Sequence, residues 1–83
     1  MWEEKDNVLY KKFEFSHFRE AFAFMMKVAL IADLMDHHPV WTNVYNKVEI
    51  CLGARNSRGI VTGKDRQLAA RIDEVAGLII VKN

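Results

Sequence analysis

The chain has 83 residues, 51% of them hydrophobic and 28% charged, which fits one small globular domain covering residues 1–83. Its formal net charge of +1 gives no electrostatic reason to expect binding to nucleic acid or to an anionic membrane. The sequence contains no uncharged apolar run long enough for a transmembrane helix, and its first residues do not resemble a signal peptide. We therefore expect neither a nucleic-acid partner nor a membrane partner.

The single cysteine, Cys51, cannot form a disulfide within the chain. A lone thiol is typical of a reducing compartment, so the sequence predicts a cytoplasmic protein. A chain this short also covers its apolar surface poorly when no disulfide supports it. We therefore expect a partner subunit.

The first segment, "WEEKDNVLYKKFEF", is typical of a β-hairpin. Lys5, Asp6 and Asn7 are turn residues, and the residues after them alternate between two faces. The apolar face consists of Leu9, Phe13 and Phe15, and the polar face consists of Tyr10, Lys12 and Glu14.

A long helix is predicted from His17 to about Met35, because the segment contains neither Gly nor Pro and Ser16 offers an N-cap oxygen. The apolar residues form two adjoining stripes. The first, expected in the core, is Phe18, Phe22, Met25, Ala29 and Ala32. The second, expected at a subunit interface, is Ala21, Phe24, Val28, Ile31 and Met35. We expect a homodimer or homotetramer through helix 17–35.

The stretch "TNVYNKVEICLGA" alternates as strands do, with Val44, Val48, Ile50, Leu52 and Ala54 on the predicted buried face. Turn residues follow, and Thr62 with Asp65 three positions later forms a capping-box pattern that begins a last helix. The order is strand, strand, helix, strand, strand, helix. It predicts an α+β two-layer sandwich, with an antiparallel four-stranded sheet and the helices packed on one face.

His37 and His38 precede the single proline, where the long helix must end. A metal site is disfavoured, because adjacent side chains diverge, whereas chelating pairs on a helix are four residues apart. A nucleophilic Cys51–His pair is weaker still, since nothing in the sequence would lower the thiol pKa. Two interpretations stay open on residue types alone: polar side chains that complement the helix C-terminus, and a functional pair.

Four segments extend the pattern around these histidines: "FEFSHFREAFAFMMKVAL", Asp33 followed by "HHP", "WTNVYNKVEI" and "KDRQLAARIDEVA". From Tyr10 to about Gly77 the sequence resembles the pterin-4a-carbinolamine dehydratase family. Its animal members are also dimerisation cofactors of a homeodomain transcription factor. The resemblance implies dehydration of 4a-hydroxytetrahydropterin to quinonoid dihydropterin, without metal and without any cofactor beyond the pterin substrate.

The resemblance also implies the site. His37 and His38 would contact the 4a-hydroxyl and the ring, and imidazoles suit this proton exchange because their unperturbed pKa is about 6.5. Asp33 would orient or charge them. Trp41 would be a pocket wall, although an aromatic residue at the start of a strand is more often simply packed. Asp65 would lie at the pocket edge, although its capping role alone explains it.

Two departures from the family pattern affect these expectations. Arg55 stands where active members have a third histidine, and a guanidinium can donate hydrogen bonds to substrate but cannot act as a general base. No residues here match the family helix that precedes the tryptophan corresponding to Trp2. Either the sequence is truncated, or another segment covers that surface. Two hypotheses follow: a pterin dehydratase, or a non-catalytic oligomerisation or coactivator-type binding module.

Overall fold

The computed structural model describes residues 1–53 and 60–80. Within them the elements follow the predicted order. They are β1 (Glu3–Lys5), β2 (Val8–Glu14), α1 (Phe18–Leu34), β3 (Val40–Val44), β4 (Lys47–Leu52) and α2 (Gly63–Ile80). Every strand pairing is antiparallel, and the sheet order is β1-β2-β4-β3. The α+β prediction is confirmed.

Each hairpin turn is set by residues that accept positive φ. Asp6 and Asn7 have φ of 55° and 63°, the left-handed pair that a two-residue turn of type I′ requires. Between β3 and β4 it is Tyr45 that has positive φ, and the side-chain amide of Asn43 donates hydrogen bonds to the carbonyls of Tyr45 and Lys47. The turns thereby fix the register that places side chains on each face of the sheet.

The core lies between the two helices and one face of the sheet. The strand faces were predicted correctly for the buried residues Leu9, Phe13, Phe15, Val48, Ile50 and Leu52. Val44 was predicted wrongly: β3 ends there, and its side chain is exposed. Ala54, predicted to continue the buried face, lies outside the described residues.

The two stripes of α1 were largely assigned the wrong way round. Ala21, Phe24 and Val28 are fully buried, whereas Phe18, Phe22 and Ala29 are exposed. Both rows are apolar, so periodicity could not choose between them. Tertiary contacts do: the Phe24 ring lies 4.9 Å from the rings of both Phe13 and Phe15. In the predicted core stripe, Ala32 is buried and Met25 packs partly against the core.

The N-cap of α1 was also predicted wrongly. His17, not Ser16, has the extended backbone of a cap, and its Nδ1 accepts a hydrogen bond from the Glu20 amide at 3.3 Å. Ser16 instead donates its backbone N–H to the Glu20 carboxylate at 2.9 Å. The imidazole therefore does what a serine hydroxyl was expected to do.

Neither helix of the described ranges is both long and apolar enough to cross a membrane.

Candidate functional site

The C-terminus of α1 holds His37 in place through a Schellman motif. Asp36 has φ of 52°, and its amide donates to the Asp33 carbonyl at 3.0 Å. The His37 amide donates to the Ala32 carbonyl at 2.9 Å. Pro39 then prevents any return to helix, and the chain enters β3. Backbone hydrogen bonds thus fix the position of His37 at the end of α1 and leave its side chain available for other contacts.

A capping box begins α2, as the sequence predicts. The Asp65 carboxylate accepts hydrogen bonds from the Thr62 amide at 2.8 Å and from the Thr62 hydroxyl at 3.1 Å, and the Asp65 amide donates back to that hydroxyl at 3.4 Å. Asp65 is only 1% exposed. A buried carboxylate needs such donors, because burial alone disfavours its charge.

The second oxygen of Asp65 pairs with Nε2 of His37, which is 28 residues away in sequence. Burial is the strongest single influence on the pKa of Asp65 and raises it. The hydrogen bonds from Thr62 and His37, together with the nearby imidazole charge, outweigh burial and hold that pKa below its ordinary value of 3.8. Asp65 is therefore ionised near neutral pH.

An ionised carboxylate can only accept hydrogen bonds, so Nε2 of His37 must carry the proton that they share. In the neutral imidazole, Nδ1 is then the acceptor that is free to take another proton. The carboxylate would stabilise the resulting imidazolium, as in a histidine–carboxylate pair that acts as a general base.

His38 is in a different environment. Its side chain is 63% exposed, and its Nε2 lies 4.0 Å from the carboxylate of Asp33, which is itself largely exposed. An exposed pair at this distance is weak and screened by water. His38 can therefore exchange protons readily with solvent, whereas His37 is held by a buried partner.

A pocket of about 340 Å³ connects these groups. Its polar lining comes from Asp36, His37, His38 and Asp65. Its apolar lining comes from the sheet end nearby, with Pro39, Val40 and Cys51. The volume is at the lower end of the range for small-molecule sites, and a few convergent polar groups beside apolar walls are typical of them.

Gly53 completes the lining and requires the absence of a side chain. Its φ is +110°, and a Cβ there would lie 3.0 Å from the Asn7 carbonyl and 3.5 Å from the Asp65 carboxylate. The β1–β2 turn, the end of β4 and the start of α2 therefore meet at this glycine.

The structure brings together some of the predicted site residues and separates others. His37, His38 and Asp65 line the pocket, whereas Asp33 lies outside it on the surface of α1. Trp41 packs against the core. Arg55, the predicted substrate-binding residue, lies outside the described residues.

Sequence reasoning did not select Asp36, Val40, Cys51 or Gly53 as pocket residues. Positive φ at Asp36 and Gly53 could not be seen in the sequence, although the position of Asp36 beside the two histidines was a usable signal. Within residues 1–53 and 60–80, no group of three or more His, Cys, Asp and Glu side chains could hold a metal ion.

The fold and the site together define a small α+β domain with a histidine–carboxylate pocket at one end of its sheet. A family model described as "Pterin 4 alpha carbinolamine dehydratase" matches residues 1–75. The chain belongs to this family.

Individual relatives agree. The chain is 46% identical over 74 residues to a "Putative pterin-4-alpha-carbinolamine dehydratase" from Prochlorococcus marinus, covering 89% of this chain and 76% of the relative. It is 49% identical over 69 residues to a protein of the same description from Paraburkholderia xenovorans, covering 83% and 71%.

Two solved structures share the fold. A transcriptional coactivator/pterin dehydratase from Brucella melitensis has a TM-score of 0.86 and 38% identity, covering 92% of this chain and 82% of that one. A pterin dehydratase-like protein, described as a RuBisCO assembly factor in the alpha-carboxysome, has a TM-score of 0.76 and 27% identity, covering 93% and 88%.

Proposed function

We propose that this chain is a 4a-hydroxytetrahydrobiopterin dehydratase, a hydro-lyase of tetrahydrobiopterin recycling. In this reaction the proton leaves N5, the hydroxyl leaves C4a as water, and a C4a=N5 double bond forms without redox change. The step needs a base at N5 and an acid at the hydroxyl, and it needs neither metal nor a cofactor besides the pterin. The lone thiol of Cys51 supports a cytoplasmic location for it.

The observation that carries the proposal is the hydrogen bond from His37 to a buried, ionised Asp65 inside a ligand-sized pocket. This arrangement leaves Nδ1 of His37 as a base for the N5 proton. Asp65 holds the ring in that tautomer and stabilises the imidazolium that forms.

His38 is the proposed acid at the 4a-hydroxyl. It also lines the pocket, and its exposure lets it regain a proton from solvent after each turnover. The two histidines thus divide base and acid roles between a half-buried imidazole and an exposed one.

Stopped-flow measurement of 4a-hydroxytetrahydropterin decay tests these roles. His37→Ala and His38→Ala should each lower kcat by about 10²- to 10⁴-fold, as loss of a positioned acid–base group does. His17→Asn is the matched control, because that histidine lies outside the pocket and Asn retains its N-cap function. The proposal fails if wild type does not accelerate decay, or if both pocket variants match wild type.

Arg55 gives a second test, argued from residue type alone. Its guanidinium stays protonated, so it can support substrate by hydrogen bonding but cannot take a proton. Arg55→His should therefore raise turnover by adding an imidazole at the position where active family members have one. An unchanged or lower rate in the same assay would contradict this role.

We further propose that the protein forms a homodimer or homotetramer through α1. Five apolar residues follow one another at four-residue spacing on its outer face: Phe18, Phe22, Met26, Leu30 and Leu34. We call this row the α1 stripe. Its exposure rises from about half at Phe18 to 87% at Leu34. A continuous apolar row of this kind marks a protein interface, and a second copy supplies a matching one.

Light scattering tests the assembly. Wild type should have at least twice the monomer mass of 9.6 kDa. Leu30→Glu should reduce it to the monomer, whereas Lys27→Glu, an adjacent charge change outside the α1 stripe, should not. A wild-type monomer at micromolar concentration would contradict the proposal.

The α1 stripe also favours a second candidate function, a non-catalytic binding module that stabilises a partner protein. A partner helix could pack on the stripe as readily as a second copy. This candidate replaces the first if wild type and Arg55→His both fail to accelerate dehydration while Leu30→Glu abolishes a protein interaction.

A further inference from the structure

The apolar side of the pocket continues onto the outer face of the sheet. Val40 and Cys51 line the pocket and are paired neighbours on β3 and β4. Cys51 is in turn paired with Tyr10 on β2. Paired residues of adjacent antiparallel strands have side chains on the same face. Val40, Cys51 and Tyr10 therefore form one line, here called the outer row.

The outer row faces away from the helices. Its members alternate along their strands with the core residues Leu9, Ile50 and Leu52, and side chains of successive strand residues point to opposite faces. The row is not covered: Cys51 and Tyr10 are half-buried and Val40 is exposed. A ligand group can thus leave the pocket along it without crossing the core.

Tyr10 brings a polar group to the row. The Tyr10 hydroxyl donates a hydrogen bond to the Glu49 carboxylate at 3.0 Å. That hydrogen bond is the main reason why the pKa of Tyr10 is raised above its ordinary value. The surface beyond the pocket is therefore apolar first and offers hydrogen-bond acceptors at its end.

We propose that the outer row is the subsite for the C6 substituent of the pterin, and that it sets the preference between short apolar and hydroxylated substituents. This inference rests on the proposed dehydratase function. A pterin carries its amino, oxo and ring-nitrogen groups on the pyrimidine side, which suits the polar lining of the pocket. N5 lies between C4a and C6, so a ring held at the histidines places its C6 substituent beside the reacting atoms.

The apolar lining at Val40 and Cys51 is the side on which that substituent fits. Carbon atoms nearest the ring would contact these two residues, and a hydroxyl further along would be directed towards the Tyr10–Glu49 pair on the same face of the sheet. A substituent directed at Asp65 instead would face a carboxylate whose oxygens already accept hydrogen bonds from Thr62 and His37.

Calorimetric binding of two dihydropterins, one without a C6 substituent and one with a 1,2-dihydroxypropyl group, tests the subsite. Cys51→Phe should weaken binding of the substituted pterin at least about tenfold more than binding of the unsubstituted one. Tyr10→Phe should weaken only the substituted pterin, by about two- to tenfold, the effect of one hydrogen bond. Val44→Phe, on the same face of β3 but paired with Lys47 and away from the outer row and Glu49, is the control for added bulk.

The outcomes separate the two proposals. Equal effects on both pterins in the Cys51→Phe and Tyr10→Phe variants would overturn the subsite and leave the dehydratase function standing. Selective effects on binding, in a protein that does not accelerate dehydration, would support the subsite and overturn the dehydratase function. If neither dihydropterin binds wild type, both proposals fall.

Discussion

The two helices begin with similar capping hydrogen bonds in different surroundings. At α1, Nδ1 of His17 accepts a hydrogen bond from the Glu20 amide, and the Glu20 carboxylate accepts one from the Ser16 amide. At α2, Thr62 and Asp65 exchange hydrogen bonds with each other, and the Asp65 carboxylate is buried. The difference lies in the second carboxylate oxygen, which at Asp65 pairs with a pocket histidine. A capping residue can therefore also be a positioning residue when burial forces its remaining oxygen to find a partner.

Replacing each capping carboxylate by its amide should give the largest difference in activity and stability between variants of the two helix caps. Asp65→Asn removes the charge that faces His37, so kcat should fall by about 10²-fold or more. The free energy of unfolding should fall by about 1–3 kcal/mol, as when a buried hydrogen-bonded group loses its partners. Kinetics and urea unfolding measure the two effects.

Glu20→Gln is the matched surface change. It should leave kcat unaltered and change stability by less than about 0.5 kcal/mol. If the two amide variants behaved alike in both measurements, Asp65 would be a helix cap and nothing more.

Removing each N-cap side chain should give a smaller difference. Thr62→Ala and His17→Ala should each cost about 1 kcal/mol in unfolding free energy. Only Thr62→Ala should also lower kcat, because its hydroxyl donates to the carboxylate that holds His37. A loss of activity in His17→Ala at full folding would show that the two caps do not differ in this way.

Lowering the pH should remove the stabilising effect of the Asp65 carboxylate. The pKa of Asp65 is lowered on folding, so its ionised form stabilises the native state above the ordinary value of 3.8. This contribution disappears as pH falls through the lower folded-state pKa. The stability gap between wild type and Asp65→Asn, measured by denaturant unfolding, should therefore be full at pH 7 and shrink below about pH 4. A gap that is constant down to pH 2 would contradict the assigned direction.

Ser16→Ala should give the smallest effect. Ser16 contributes its backbone N–H to the α1 cap, and alanine retains that group. The free energy of unfolding, measured by heat or urea, should change by less than about 0.5 kcal/mol. A loss near 1 kcal/mol would restore Ser16 as the N-cap expected from the sequence.

Sequence patterns predicted correctly those structural features that depend on residues close together in the chain. The element order, the buried faces of β2 and β4, and the Thr62–Asp65 capping box follow from alternation and short-range spacing. The α1 faces did not, because two apolar stripes of similar quality compete and only packing against Phe13 and Phe15 decides between them.

The candidate site residues could be predicted in part from the sequence. The resemblance to the family selected His37, His38 and Asp65 from the sequence. The same resemblance gave Asp33, one helical turn before His37, as the acidic partner of the histidines. The hydrogen-bond partner of His37 in the fold is Asp65, 28 residues distant, and a contact made through the tertiary fold has no short-range signature.

Gly53 occupies a position at which the fold requires the absence of a side chain. Substitution would place a methyl group 3.0 Å from a hairpin carbonyl and force an L-residue into φ of +110°. In a scan of every possible substitution, Gly53 should therefore tolerate as few replacements as the histidines, although it contributes no chemical group. Length changes in the β1–β2 turn should be poorly accepted too, since the Asn7 carbonyl of that turn closely approaches Gly53, which lines the pocket.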